Sequence, residues 1–159
     1  MSKIAVIAGI GAGLGAALAR KFVAEDCAVA LLSRSTEFSS NLVTDLTANG
    51  GKALALEADV SDSASVDRAF EQIRQLLGPV DILVNHASAS SWKGLLEASP
   101  EEMERAWRVS VLGAFLCSQH AARHMLEGDG GTILFTGATS GVRGRAGAID
   151  FSSAKFGAR

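Results

Sequence analysis

The chain has 159 residues, a length that suits one domain and can bury roughly two thirds of its unfolded surface. Fifteen Lys and Arg against seventeen Asp and Glu give a net charge of −2, which argues against nucleic acid as the main partner. There are 17 glycines and no tyrosine, so no mechanism that needs a phenol is open to this chain.

The N-terminal stretch from Ile4 to Ala19 carries no charge, and Ala17-Leu18-Ala19 resembles a signal-peptidase site. The stretch is too short to span a bilayer, and its four alternate glycines suit a helical signal core poorly. It reads better as an apolar strand, Ile4–Ala8, a glycine loop, and a helix from Gly13 to Ala24. Cys27–Leu32 is a second apolar run. Leu42–Leu46 carries a short helical spacing that stops at Asn49-Gly50-Gly51, a turn signal. Ala53–Leu56 is a third strand. Between Ser61 and Leu77, the residues Val66, Ala69, Phe70, Ile73, Leu76 and Leu77 fall on one face of an amphipathic helix. Val80–Val84 is the fourth strand. Ser99-Pro100-Glu101-Glu102 is a capping box with proline at the first helical position, opening a helix to about Leu126. Thr132–Phe135 is the fifth strand, and a last helix begins near Phe151. Two cysteines, Cys27 and Cys117, build no disulfide framework, and a reducing, cytoplasmic setting is the expectation.

Strands alternating with helices require crossover connections and a parallel sheet. The strand runs are apolar without alternation, as when both sheet faces are covered. The expected fold is therefore α/β, a Rossmann-like doubly wound sheet in three α/β/α layers. Five strands are visible where six or more are usual.

The loop Ala8-Gly9-Ile10-Gly11-Ala12-Gly13-Leu14-Gly15 lies directly between the first strand and its helix. There a dinucleotide site needs a tight turn, a backbone open to pyrophosphate, and a bare helix N-terminus facing the negative charge. The glycines allow two registers, Gly11-x-Gly13-x-x-Ala16 and Gly9-x-x-x-Gly13-x-Gly15. Position favours the second, which begins where the strand ends. Strand two closes on Ser33 and Arg34 rather than on an acid. A cation beside small hydroxyl residues suits a 2′-phosphate, so NADP is expected over NAD. Ala12, before Gly13, supplies no second cation.

On these motifs the chain resembles the short-chain dehydrogenase/reductase family over nearly its whole length. The Gly9, Gly13 and Gly15 pattern is similar to the family's cofactor loop, with Gly11, Ala12 and Leu14 between. Asp59-Val60 resembles the pair that contacts adenine, and Asn85-His86-Ala87-Ser88 resembles the family's Asn-Asn-Ala-Gly segment. The resemblance implies a catalytic Asn, Ser, Tyr and Lys. Here Ser110 stands at the Asn position, Ala138 at the Ser position and Phe151 at the Tyr position, and only Lys155 is retained. A Phe-bearing subgroup is the nearest likeness. The resemblance also implies a homodimer or homotetramer, a carbonyl or alcohol substrate, and a chain that continues past the helix in which Arg159 falls.

His120 and His124 have the i, i+4 spacing of a zinc pair, with no third ligand in view, so no metal is expected. Gly137–Gly141 superficially resembles a hydrolase elbow at the wrong spacing. Trp107, Val111 and Phe115 form a stripe that reads as core or as a dimer face. Two functions stay open: a reductase or dehydrogenase using another acid, such as His86, Ser140, Ser153 or water, and a non-catalytic dinucleotide-binding module that serves as sensor or assembly partner. Neither nucleic acid nor a membrane is expected as a partner.

Overall fold

A computed structural model describes residues 2–159. Five strands form one parallel sheet: β1 (Ile4–Ala8), β2 (Ala28–Ser33), β3 (Ala53–Glu57), β4 (Ile82–Asn85) and β5 (Thr132–Phe135), in the order β3-β2-β1-β4-β5. The helices are α1 (Leu14–Ala24), α2 (Glu37–Ala48), α3 (Ser63–Leu76), α4 (Pro100–Trp107), α5 (Gly113–Leu126) and α6 (Ile149–Ala158). This is the expected three-layer α/β arrangement.

The chemistry of the strands explains the layering. All five residues of β1 are buried, so each sheet face must be covered. On one face Val6, Ala8, Ala30, Leu32 and Leu83 meet Val66, Phe70 and Ile73 of α3 and Cys117, Ala121 and Met125 of α5. On the other, Ala5, Ile7, Val29 and Leu31 meet Ala16 and Ala19 of α1 and Leu42 and Leu46 of α2. The α3 pattern is as the sequence predicts, with Asp62 capping the helix by accepting from the Ser65 N–H at 3.1 Å.

Three details differ from the sequence reading. Helix α2 starts at Glu37, five residues before the apolar spacing begins, because its first turn holds Glu37, exposed Phe38, Ser39 and Ser40, which show no apolar periodicity. Helix α6 starts at Ile149 rather than at Phe151. The expected single helix from the capping box to Leu126 is interrupted by a π turn at Arg108–Leu112. The capping box itself is present, with Ser99 and Glu102 bonding each other's backbone N–H. Of the two readings of the α4–α5 stripe, core does not hold for Trp107, 47% exposed, or Phe115, 59% exposed. Strand β5 is an edge, with Leu134 and Phe135 half exposed.

Both histidines of the i, i+4 pair are engaged by protein groups. His120 Nε2 meets Asp67 Oδ1 at 2.7 Å, which ties α5 to α3, and the ring stacks on Phe70. His124 is buried, and its Nδ1 accepts from the Val80 N–H at 3.3 Å. Burial first, and then the nearby Arg74 charge, push the His124 pKa below the ordinary histidine value. A base with a depressed folded-state pKa stabilises the fold above its unfolded pKa, about 6.5, and that stability is lost as pH falls through the folded value. Thermal unfolding followed across pH 5–8 should show this acid loss in the wild type. His124→Gln should flatten it, at a cost in stability at neutral pH.

Candidate nucleotide cleft and active site

The switch point of the sheet lies between β1 and β4, where chain order reverses direction across the sheet. Ligands of open α/β sheets bind outside the carboxyl ends of the strands at such a point. Here the backbones close tightly. The carbonyl of Ala8 accepts from both His86 N–H (2.9 Å) and Ala87 N–H (2.7 Å), and the Leu32 carbonyl accepts from the Gly9 N–H at 3.0 Å. Gly9 takes φ +97°, and a methyl group there would sit 2.5 Å from Cα and N of Ala87. Glycine is therefore required at Gly9 on two counts, conformation and space.

A cleft of about 690 Å³ opens over these strand ends. Its lining joins Gly9 and Gly11 after β1, Ser33 and Arg34 after β2, Asp59 and Val60 after β3, and His86 and Ala87 after β4. Eight of the sequence-derived positions thus come together. Gly13 is the N-cap of α1, with no side-chain cap and no acid in the first turn, so the positive end of the helix is bare. A methyl group at Gly11 or Gly13 would meet nothing within 4 Å, which leaves room above the loop for a ligand. Exposed Ala12 and Leu14 flank Gly13, whereas Gly15 is buried against Ile10. The lining, the bare helix end and the open loop fit a dinucleotide.

Asn85 ends β4 and lies beneath the cleft. Its Nδ2 donates to Ser118 Oγ at 3.0 Å, while its Oδ1 is buried without a protein partner. Ser61 donates to Asp59 through both hydroxyl and backbone N–H, which holds that carboxyl below its usual range.

The four tetrad-related positions lie to the side of this lining. Phe151 and Lys155 are one turn apart on α6, and the ammonium sits 5.6 Å from the phenyl centroid. Lys155 is buried, donates to the Thr136 carbonyl at 2.7 Å, and is pulled below the ordinary lysine pKa by desolvation. Ala138 precedes a single 3₁₀ turn, Thr139–Gly141. Ser110 is buried in the π turn with its hydroxyl unpartnered. Of the substitute acids, Ser153 Oγ accepts from Trp107 Nε1 at 3.3 Å, and Ser140 is buried. His86 Nδ1 contacts Thr136 Oγ1 at 3.0 Å. Desolvation, and then the Lys155 charge, lower its pKa, so the imidazole is neutral at pH 7.

Several residues of this region escape the sequence reading. Arg105 and Val109 reach the cleft from α4 and the π turn. Their i, i+4 spacing just before Ser110 was the available signal. Thr136, which serves both His86 and Lys155, was hidden because its Lys155 contact is through backbone.

The sequence model of the family described as short chain dehydrogenase matches residues 3–159. The chain belongs to this family. It is 34% identical over 154 residues to meso-2,3-butanediol dehydrogenase of Serratia marcescens, covering 97% of this chain and 60% of that protein. It is 33% identical to 2,3-dihydro-2,3-dihydroxybenzoate dehydrogenase of Bacillus subtilis strain 168, covering 96% of this chain and 59% of that one. A solved variant of a Serratia marcescens short-chain dehydrogenase/reductase superposes with a TM-score of 0.90 at 34% identity, over 97% of this chain and 63% of the other. A putative short-chain alcohol dehydrogenase of Sinorhizobium meliloti 1021 superposes at 0.92 with 25% identity, over 99% and 63%. The chain thus spans about 60% of the length of these relatives. Family membership implies a nicotinamide dinucleotide, NAD or NADP, as cofactor.

The two loop glycines separate structure from binding. Gly9→Ala should destabilise the protein by about 2–4 kcal/mol in urea unfolding, through the clash with Ala87 and the positive φ. Gly13→Ala, with open space at its Cβ, should leave the unfolding midpoint within about 0.5 kcal/mol of wild type.

Proposed function

We propose that this protein binds NADP(H) in the cleft over the ends of β1–β4 and is, by descent, an oxidoreductase acting between a carbonyl and an alcohol. One observation carries the reading: the open glycine loop and bare α1 terminus adjoin a cleft whose lining includes Arg34 and Arg105, against one acid, Asp59. In the proposed arrangement the α1 N-terminus faces the pyrophosphate, Asp59 and Val60 adjoin the adenine, and Ser33 and Arg34 hold a 2′-phosphate. When bound, the nicotinamide ring supplies hydride chemistry. Lys155 keeps a cation beside the site, 5.6 Å from the Phe151 ring.

Protonation is the step this chain does differently. With Phe151 where the family's phenol would stand, Ala138 for the serine and Ser110 for the asparagine, three of the four groups that position and move the proton are replaced. The loss of a positioned general acid lowers rate by about 10²–10⁴-fold. The lowered pKa leaves His86 neutral at pH 7 with a single N–H to give, so it is a weak substitute donor. The proposal is therefore an NADP(H) protein with weak carbonyl-reducing chemistry. The substrate is a small molecule, and the assembly is a homodimer or homotetramer; half-exposed Trp107 and Phe115 on α4 and α5 support an interface there. None of the helices is long and apolar enough to cross a membrane among the described residues; with buried free Cys27 and Cys117, this accords with a cytoplasmic setting, which belongs to the same proposal.

Fluorescence titration should give a lower Kd for NADPH than for NADH. Arg34→Ala should weaken NADPH by about tenfold, one charge-assisted hydrogen bond, and leave NADH unchanged. Equal affinities in the wild type would remove the 2′-phosphate assignment. Gly13→Ala should bind neither cofactor well while remaining folded. The double variant Phe151→Tyr, Ala138→Ser should reduce test carbonyls about 10²-fold faster than wild type or better; vigorous wild-type turnover would refute the weak-chemistry reading.

A further inference from the structure

Asp150 stands beside the candidate site, outside the roles assigned above. It is 1% exposed, the one buried carboxylate among the described residues. Its Oδ1 accepts from the Phe151 N–H at 2.7 Å and the Ser90 hydroxyl at 3.2 Å, and its Oδ2 accepts from the Ser91 N–H at 2.5 Å. Ser90 Oγ in turn accepts from the Trp92 N–H at 3.1 Å. One residue along, the Lys93 carbonyl accepts from the Ile149 N–H at 3.0 Å. Residues 90–93, which follow the His86–Ala89 part of the cleft, are thereby fixed to the first turn of α6.

The fastening has a visible product. Trp92 takes φ +56°, a conformation that a bulky L-residue adopts only when its surroundings hold it there. Held so, the indole lies 5.1 Å from the Phe151 ring, tilted by 34°. The Arg145 guanidinium caps the indole at 5.7 Å, and the Arg145 N–H donates to Ser152 Oγ of α6 at 3.3 Å. Phe151 therefore lies between Lys155 and Trp92.

We infer that Asp150 is a positioning residue whose carboxylate seats Trp92 on Phe151, so that an indole rather than a phenol screens this end of the site. The inference rests on the proposed function only in taking Phe151 to mark the substrate end. An amide cannot replace the carboxylate here. Both oxygens accept from backbone N–H groups, and an Asn would oppose one N–H with another.

The test uses the full chain with Trp107→Phe, which leaves Trp92 as the sole tryptophan. Asp150→Asn and Asp150→Ala should both raise acrylamide quenching of Trp92, by at most about twofold given its present 57% exposure, and shift its emission to the red. Ser90→Ala, at a less buried position, should give a smaller change of the same sign and remains readable if the Asp150 variants do not fold. Ile73→Val, a core change of similar modest destabilisation, should leave the quenching unmoved. Unchanged quenching in Asp150→Asn, or in Ser90→Ala where the Asp150 variants fail to fold, overturns the inference. So does an equal rise in Ile73→Val. NADPH titration of the same Trp107→Phe protein reports separately: absence of binding defeats the proposed function and leaves the Asp150 result standing.

Discussion

The contact between Gly9 and Ala87 is the constraint on which the cleft depends. Two N–H groups from the segment after β4 converge on one carbonyl at the end of β1, and this brings the two chain segments closer than any side chain allows. Because β1 pairs with both β2 and β4, it is the strand from which the sheet grows in two directions. The glycine loop and the His86-Ala87-Ser88 segment therefore leave the sheet on either side of one crevice. Arg34 and Asp59 come from strands further out, yet they reach the same cleft because the parallel register aligns the ends of β1, β2 and β3.

The part of the site built on this constraint was legible in sequence because it is local. A strand buried on both faces reads as an unbroken apolar run, and a glycine loop reads as itself. The strands and the cofactor side of the cleft followed from such short signals. The other side is assembled from residues far apart in the chain. Asp150 meets Ser90 across 60 positions, and no local pattern marks either one. The π turn was equally hidden, since Trp107, Val111 and Phe115 keep an ordinary helical spacing across it. The same spacing suggested a buried stripe, but a pattern shows only which residues share a face, not what covers it.

Family membership and the sequence of the active site pull in different directions, and the structure shows how both can hold. Lys155 is buried and held by the Thr136 carbonyl, so the cation beside Phe151 is not an idle surface lysine. The space around Phe151 is filled by an ammonium on one side and an indole on the other. Such packing costs nothing in unpaired hydroxyl groups, whereas a buried tyrosine would need an acceptor. A phenylalanine at 151 is thus consistent with its surroundings, and the scaffold around the cleft is independent of it.

The outer side of β5 has a consequence for what can lie beside it. Nothing pairs with the outer side of this strand among the described residues, and Leu134 and Phe135 project from its two faces. The four residues Thr-Ile-Leu-Phe carry neither charge nor proline, the usual devices that discourage a second strand from adding. Free N–H and C=O groups along that side are a ready template for one more strand, and the uncharged, apolar run of β5 suits a place inside a sheet better than a place at its rim.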